Sequence, residues 1–139
     1  MIDMVAKEYM EMVQEAEQEL QLIAEQRQHY MALGGALAAN FGGMPSVHDG
    51  HSRVEQAGIG LADLATELES KAAEYARIVT EAQALVEQIP VLNFRKVLTY
   101  HYFLGKDMAE VNRLMGFKDD KSAYRVRGYA LKELDKLMK

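Results

Sequence analysis

The chain has 139 residues, a formal net charge of −5 and no cysteine, which excludes disulfides and thiolate metal sites. No apolar run approaches the roughly 18 residues of a membrane-spanning helix, and no signal-like segment opens the chain, so we expect a cytoplasmic protein without a membrane partner. Residues 1–88 carry five Lys/Arg and fifteen Asp/Glu, a formal −10, whereas residues 89–139 carry eleven and six, a formal +5. A basic C-terminal part is typical of a DNA-binding domain, because Lys and Arg displace counterions from the phosphates of DNA.

The acidic part is predicted to be two long helices joined by a loop. The spacing of apolar residues predicts a helix over about residues 3–35, and Gly34-Gly35 is expected to end the helix or to mark its fraying. A second helix is predicted over about 55–89, where apolar residues recur at alternating steps of four and three. The Gly-rich segment between them, about 37–55, is predicted to be a loop. Two such helices fold back most simply as an antiparallel hairpin.

The apolar stripes of the two helices are the predicted seams of this hairpin. The first seam consists of Val5, Tyr9, Met12, Ala16, Leu20, Ile23, Arg27 and Tyr30. The second consists of Leu61, Ala65, Leu68, Ala72, Tyr75, Val79, Ala82, Val86 and Ile89. Other apolar residues lie outside both seams and are predicted to serve self-association or packing of the C-terminal part, such as Met10, Leu22, Met31, Leu64, Ile78 and Leu85. The long seam fits either a hairpin core or a dimer interface, and we favour a homodimer.

The basic part is predicted to contain three shorter helices after Pro90. Their expected bounds are about 91–103, 107–115 and 120–138. Asp107 is the predicted N-cap of the middle helix, and Gly116-Phe117 make the turn before the last one. This is the order of a helix-turn-helix. The predicted fold is therefore all-α: a long, coiled-coil-like antiparallel hairpin over residues 1–88, then a small helix-turn-helix domain over residues 89–139.

The last predicted helix carries most of the residues that we expect to contact DNA. Ala123, Val126 and Ala130 are expected to pack inward, which turns a basic side outward. Near the start of such a helix an Arg can pair with guanine, while Lys and Ser suit phosphates. The predicted DNA-binding residues are Lys106, Lys118, Lys121, Ser122, Arg125, Arg127 and Tyr129. Asp119 and Asp120 are expected to cap the helix. The residues expected to be merely solvated are Lys132, Glu133, Asp135 and Lys136.

Catalysis and metal binding find little support in the sequence. His48 and His51, with Asp49 between them, could ligate zinc or nickel, but a solvated loop is the favoured interpretation. The glycine pairs are not followed by the Gly-Lys-Ser/Thr of a phosphate-binding loop, and no Ser/His/Asp order stands out. We therefore expect no catalytic residues, no metal and no cofactor.

Four stretches of the basic part carry a family resemblance. They are residues 93–106 (NFRKVLTYHYFLGK), 108–111 (MAEV), 115–117 (MGF) and 124–131 (YRVRGYAL). Together they resemble a sigma-factor region-4-like domain. The whole chain is similar to small regulators of phages and prophages of Gram-positive bacteria, in which a segment like Ala6-Lys7-Glu8-Tyr9 precedes a helical hairpin and this domain. The chain departs from the pattern at Asn112, Lys118 and Arg127, where a small Ala, a Ser and a His are usual.

The resemblance implies binding to promoter DNA, with a contact to RNA polymerase, in phage gene regulation. The predicted function is thus that of a sequence-specific, DNA-binding transcription regulator. Two other classes stay open. One is a subunit of a phage DNA-packaging machine, in which the coiled coil builds a ring whose mass would distinguish it from a dimer. The other is a protein-binding inhibitor whose acidic hairpin mimics nucleic acid.

Overall fold

All regular structure in the computed structural model is helical. The structure describes the backbone of residues 2–41 and 48–139, and the side chains of residues 5–35 and 60–139. The helices are α1 (Ile2–Phe41), α2 (His48–Glu87), α3 (Leu92–Leu98), a π-helical turn (Thr99–Phe103), α4 (Met108–Met115) and α5 (Ser122–Leu137). No strand occurs within these described ranges, and the predicted all-α fold class is confirmed.

Both long helices extend further than predicted. α1 continues past Gly34-Gly35 to Phe41, and α2 begins at His48. Glycine lowers helix stability by about 1 kcal/mol relative to alanine, but it keeps its backbone hydrogen bonds. A helix can therefore continue through a glycine when the residues on both sides of it are helical. Neither glycine has the positive φ with which many helices end. The predicted loop over 37–55 is therefore wrong except for residues 42–47, which lie outside the described ranges.

The chain divides into two compact units. The first comprises Met1–Gln18 and Ala76–Lys139, and the second comprises Glu19–Tyr75. The boundary predicted at residue 88 does not coincide with this division. The first part of α1, up to Gln18, and the last part of α2, from Ala76, belong to the same unit as the C-terminal helices. About 50 residues of short helices bury too little apolar surface for an independent core, so they share one with α1 and α2.

The core of the first unit draws on every helix in it. Its largest fully buried side chains are Met10, Val13, Ile89, Val97, Leu98, Val111 and Leu134. On α1 the buried face follows Ala6, Met10 and Val13, whereas Val5 and Met12 of the predicted seam are 48% and 44% exposed. The predicted seam is wrong here because this end of α1 is buried by the C-terminal helices as well as by α2. The end of the α2 seam is confirmed, with Val79, Ala82, Val86 and Ile89 all buried.

The second unit contains the C-terminal part of α1 and the N-terminal part of α2. Ile23 of α1 and Leu68 of α2 are buried in it, and a β-carbon on Gly34 would lie 3.9 Å from Cδ1 of Leu61. Leu22 and Met31, two of the apolar residues outside the predicted seams, are 50% and 73% exposed. Two helices in contact bury only one stripe each, which leaves such residues in solvent.

Asp135 of α5 is buried, although it was predicted to be solvated. Its side chain is 3% exposed, and Oδ1 accepts a hydrogen bond of 2.8 Å from the backbone N–H of Ala6. Within the described part of the chain its Oδ2 has no hydrogen-bond partner. A carboxylate is favoured beside the N-terminal turns of a helix, where the backbone dipoles present positive charge. Asp135 therefore ties the start of α1 to α5.

Replacement of Asp135 by alanine should lower the free energy of unfolding by about 1–3 kcal/mol, because a buried hydrogen-bond acceptor is lost. Glu133→Ala is the matched control on the same helix, since Glu133 is partly exposed and pairs with Lys136 at 3.1 Å. The control should change stability by less than about 0.5 kcal/mol. Urea unfolding measures both. Equal stability of the two variants would contradict the structural role of Asp135.

Candidate nucleic-acid interface

A small apolar cluster joins α3, α4 and α5. Its buried members are Val97, Met108, Val111 and Ala123, and the partly buried residues packed against it are Tyr100, Met115, Phe117 and Val126. Each of the three helices contributes at least one buried side chain. Close packing of this kind holds the helices in one arrangement. The side of α5 that carries Ala123 is thereby fixed inward, as predicted.

The turn between α4 and α5 begins at a glycine in the left-handed conformation. Gly116 has a φ of 72°, and its N–H donates to the carbonyl of Arg113 over 3.1 Å. The N–H of Phe117 donates to the carbonyl of Asn112, also over 3.1 Å. Only glycine adopts this backbone conformation readily, so it ends α4 sharply. At the other end of α4, Oδ1 of Asp107 accepts from the N–H of Glu110 over 2.8 Å, which confirms Asp107 as the N-cap.

Asn112 spans the turn. Its Nδ2 donates to the carbonyl of Phe117 over 3.4 Å, and its Oδ1 accepts from the N–H of Ala123 over 3.1 Å. Lys121, which precedes α5, makes no capping hydrogen bond with its own side chain. The amide of Asn112 therefore satisfies a backbone donor in the first turn of α5 from across the motif. A small alanine at this position, as in the resembling family, would offer packing but no such bond.

Asn112→Ala should lower the free energy of unfolding by about 1–2 kcal/mol, since the N–H of Ala123 loses its acceptor. Asn112→Asp retains the acceptor and should lose less. Arg113→Ala is the neighbouring control, because Arg113 is 71% exposed and should contribute little to stability. Thermal and urea unfolding test the order of the variants. An Asn112→Ala protein as stable as the wild type would contradict the capping role.

The π-helical turn after α3 positions His101. Leu104 donates its N–H to the carbonyl of Thr99 over 3.0 Å, and Gly105 follows with a φ of 70°. His101 Nδ1 lies 2.8 Å from the carbonyl of Lys106. Because a carbonyl only accepts, Nδ1 carries the proton and leaves Nε2 as an acceptor. Short π-helical segments of this kind widen the helix and displace the side chains within them.

Arg127 does not share the outward side of α5 with Arg125. Its Nη1 lies 3.4 Å from Nε2 of His101, and its guanidinium carbon lies 5.2 Å from the centre of the Tyr124 ring. Residues two apart on a helix point about 160° away from each other. Burial raises the pKa of Tyr102, and the charge of Arg127 opposes that rise. Arg127 is half-buried and contacts His101 and the exposed Tyr124 on another side of α5 than Arg125, so its predicted DNA contact stays a prediction.

The outward side of α5, here called the exposed face, brings together most of the predicted contact residues. It consists of the exposed residues Lys121, which directly precedes the helix, Arg125, Gly128, Tyr129 and Lys132, together with the half-buried Ser122. Lys132 was predicted to be only solvated, but it follows Arg125 by seven residues, a spacing that returns to the same side of a helix. Tyr129 is 54% exposed, and its ring lies 6.4 Å from that of Phe94 on α3. The face therefore combines three cations with an anchored aromatic ring.

The two remaining predicted residues lie outside α5. Lys118 is exposed in the turn before it. Lys106 precedes α4, and its Nζ lies 3.9 Å from Oε1 of Glu110. At this distance and exposure the pair is worth little, so the Lys106 ammonium stays accessible to an anion.

Asp119 stands at the start of α5 and touches the exposed face. Its Oδ1 accepts from the N–H of Lys121 over 3.0 Å, and its Oδ2 pairs with Nη2 of Arg125. The hydrogen bond from Lys121, with Arg125 adding to it, holds the pKa of Asp119 below its usual value. Lys121 occupies the N-cap position of α5, so Asp119 closes the turn before the helix, and the expectation that Asp119 and Asp120 cap the helix is wrong. Among the described contacts, Asp120 forms neither a side-chain hydrogen bond nor an ion pair.

Gly128 lies in the middle of the exposed face. A β-carbon built there would have no atom within 4 Å apart from its chain neighbours and the nearby backbone of α5, so the glycine is not required by packing against the rest of the chain. An exposed glycine inside a helix lowers stability by about 1 kcal/mol relative to alanine. The backbone of α5 is thus uncovered between Arg125 and Lys132.

Comparison of the chain with protein families, curated proteins and solved structures finds no match. The resemblance to sigma region-4-like domains therefore stays a prediction from the residues quoted above. None of the described helices is both long and apolar enough to span a membrane. The described residues contain no group of three or more His, Cys, Asp or Glu that could hold a metal ion. The side chains of His48 and His51 lie outside those residues.

Proposed function

We propose that the protein is a sequence-specific DNA-binding transcription regulator of the phage or prophage type, which acts in the cytoplasm without enzymatic activity. The observation that carries the proposal is the exposed face of α5: a basic, solvent-facing helix side that follows the Gly116 turn, with the helix start capped by Asn112 of α4. A recognition helix presents its N-terminal half to the major groove in this way, while the preceding helix crosses the phosphate backbone.

The chemistry of the exposed face supports this role. Arg125, with a side chain 58% exposed, lies one turn into α5, where an arginine meets base edges and can pair bidentately with guanine. Lys118, Lys121 and Ser122 lie around the helix start and suit phosphate oxygens. Lys132 lies two turns after Arg125 on the same face and extends the phosphate contacts along α5.

The acidic Glu19–Tyr75 unit suits a protein partner better than DNA, because its carboxylates repel phosphates. Exposed apolar residues in it, Leu22, Met31 and Leu33, offer contact area for such a partner. We propose that this unit supports a homodimer or a contact with RNA polymerase. A dimer would present two copies of α5 to paired half-sites about one turn of DNA apart.

Selection from random duplex DNA by the purified full-length protein tests the proposal. We expect enrichment of a recurring sequence, with an observed affinity that falls steeply as salt is raised, because bound cations release counterions from the DNA. Inverted copies of the sequence would support the dimer. Absence of both enrichment and salt-dependent binding would contradict DNA binding and would leave the acidic unit as the functional surface.

Gly128→Ala separates a close approach of DNA from a purely structural glycine. The alanine should stabilise the helix by about 1 kcal/mol, because it reduces the backbone entropy lost on folding. It should also weaken binding to the enriched sequence by about 1–3 kcal/mol, since its methyl group intrudes where the DNA backbone meets α5.

Gly35→Ala is the matched control, because Gly35 is an exposed helical glycine of α1 at which an added β-carbon would likewise have no other atom within 4 Å. It should raise helix stability similarly and leave DNA affinity unchanged. Circular dichroism and fluorescence anisotropy measure the two effects. A Gly128→Ala protein that gains stability and binds DNA like the wild type would show that nothing approaches this part of α5 closely.

A further inference from the structure

An aspartate holds the arginine that is best placed to read bases. Asp119 is anchored through the Lys121 N–H at 3.0 Å, and its other carboxylate oxygen pairs with Nη2 of Arg125. Both side chains are more than half exposed, at 56% and 58%. The contact therefore lies on the surface, at the N-terminal end of the exposed face.

We propose that Asp119 is a positioning residue, which holds the Arg125 guanidinium in the orientation that pairs with guanine in the major groove. This inference rests on the proposed DNA binding. One nitrogen of the guanidinium is engaged by Asp119, and the remaining N–H donors of its planar fork stay available to O6 and N7 of guanine. An arginine loses rotamer freedom when it is ordered, and a partner that already restrains it reduces this loss on binding.

Stability alone does not account for the pair. An exposed ion pair contributes little to the free energy of unfolding, because water and salt screen it. A carboxylate beside a phosphate-binding surface also opposes DNA binding by charge repulsion. The backbone hydrogen bond from Lys121 nevertheless keeps this carboxylate at the helix start. Base discrimination is the difference between the affinities for the preferred sequence and for other sequences. A role of Asp119 in that difference fits these observations better than a role in raising the affinity for DNA as such.

Asp119→Asn is the variant that tests the inference. Asparagine keeps an acceptor for the Lys121 N–H and removes the charge that restrains Arg125. Asp120→Asn is the matched control, since it removes the same charge from the neighbouring position, which has no described contact with Arg125. Each protein is assayed on the sequence enriched by the wild type and on variants with every base pair replaced in turn.

The wild type should prefer G·C at one position by about 5- to 150-fold, the discrimination of one bidentate contact. Asp119→Asn should reduce that preference by about 2- to 12-fold, since Arg125 must then be ordered by guanine alone. Arg125→Ala should abolish the same preference. Asp120→Asn should raise affinity for all sequences alike and leave the preference intact.

The outcomes distinguish the inference from the function on which it rests. If Arg125→Ala removes the preference but Asp119→Asn behaves like Asp120→Asn, Asp119 does not position Arg125, although DNA binding stands. If the wild type neither enriches a sequence nor binds DNA in a salt-dependent way, both proposals fall. The pair itself is checked without DNA: in NMR titrations Arg125→Ala should raise the pKa of Asp119, and an unchanged pKa would overturn the inference.

Discussion

The C-terminal helices depend on the long helices for a core. Helices of 7, 8 and 16 residues cannot enclose enough apolar surface by themselves. In the unit that they share with α1 and α2, Met10 and Val13 of α1 are fully buried, as are Leu98 and Leu134 of the C-terminal part. Burial then decides which side of α5 faces outward. Because Ala123, Ala130 and Leu134 are fully buried, Arg125 must lie on the opposite, solvent-facing side.

The same packing divides the cations of the basic part into two groups. Arg95 donates from Nη1 to the carbonyl of Ile89 over 2.8 Å, and Arg127 lies against His101. Both guanidinium groups hold elements of the unit together. Lys121, Arg125 and Lys132 face solvent instead. The formal +5 of residues 89–139 therefore overstates the charge that a phosphate backbone could meet.

Polar side chains hold the backbone and Arg125 at the start of α5 in fixed positions, which favours discrimination between ligands. Asn112 caps the helix from α4, and Asp119 engages both the backbone of Lys121 and the side chain of Arg125. Each bond limits the freedom of a group near the exposed face before any ligand arrives. Preorganisation of this kind lowers the ordering cost of binding, and it favours ligands that match the fixed geometry.

Local rules on the sequence determined the all-α class, the three C-terminal helices, the Asp107 cap and the Gly116 turn, because each depends on residues within one or two helical turns. Only the tertiary structure decided the buried face of α1, the burial of Asp135 and the contact of Arg127 with His101. Those features join residues far apart in the chain, such as Ala6 and Asp135. The spacing of apolar residues within one helix shows which side of it is apolar, but it does not show which other helices will pack against it.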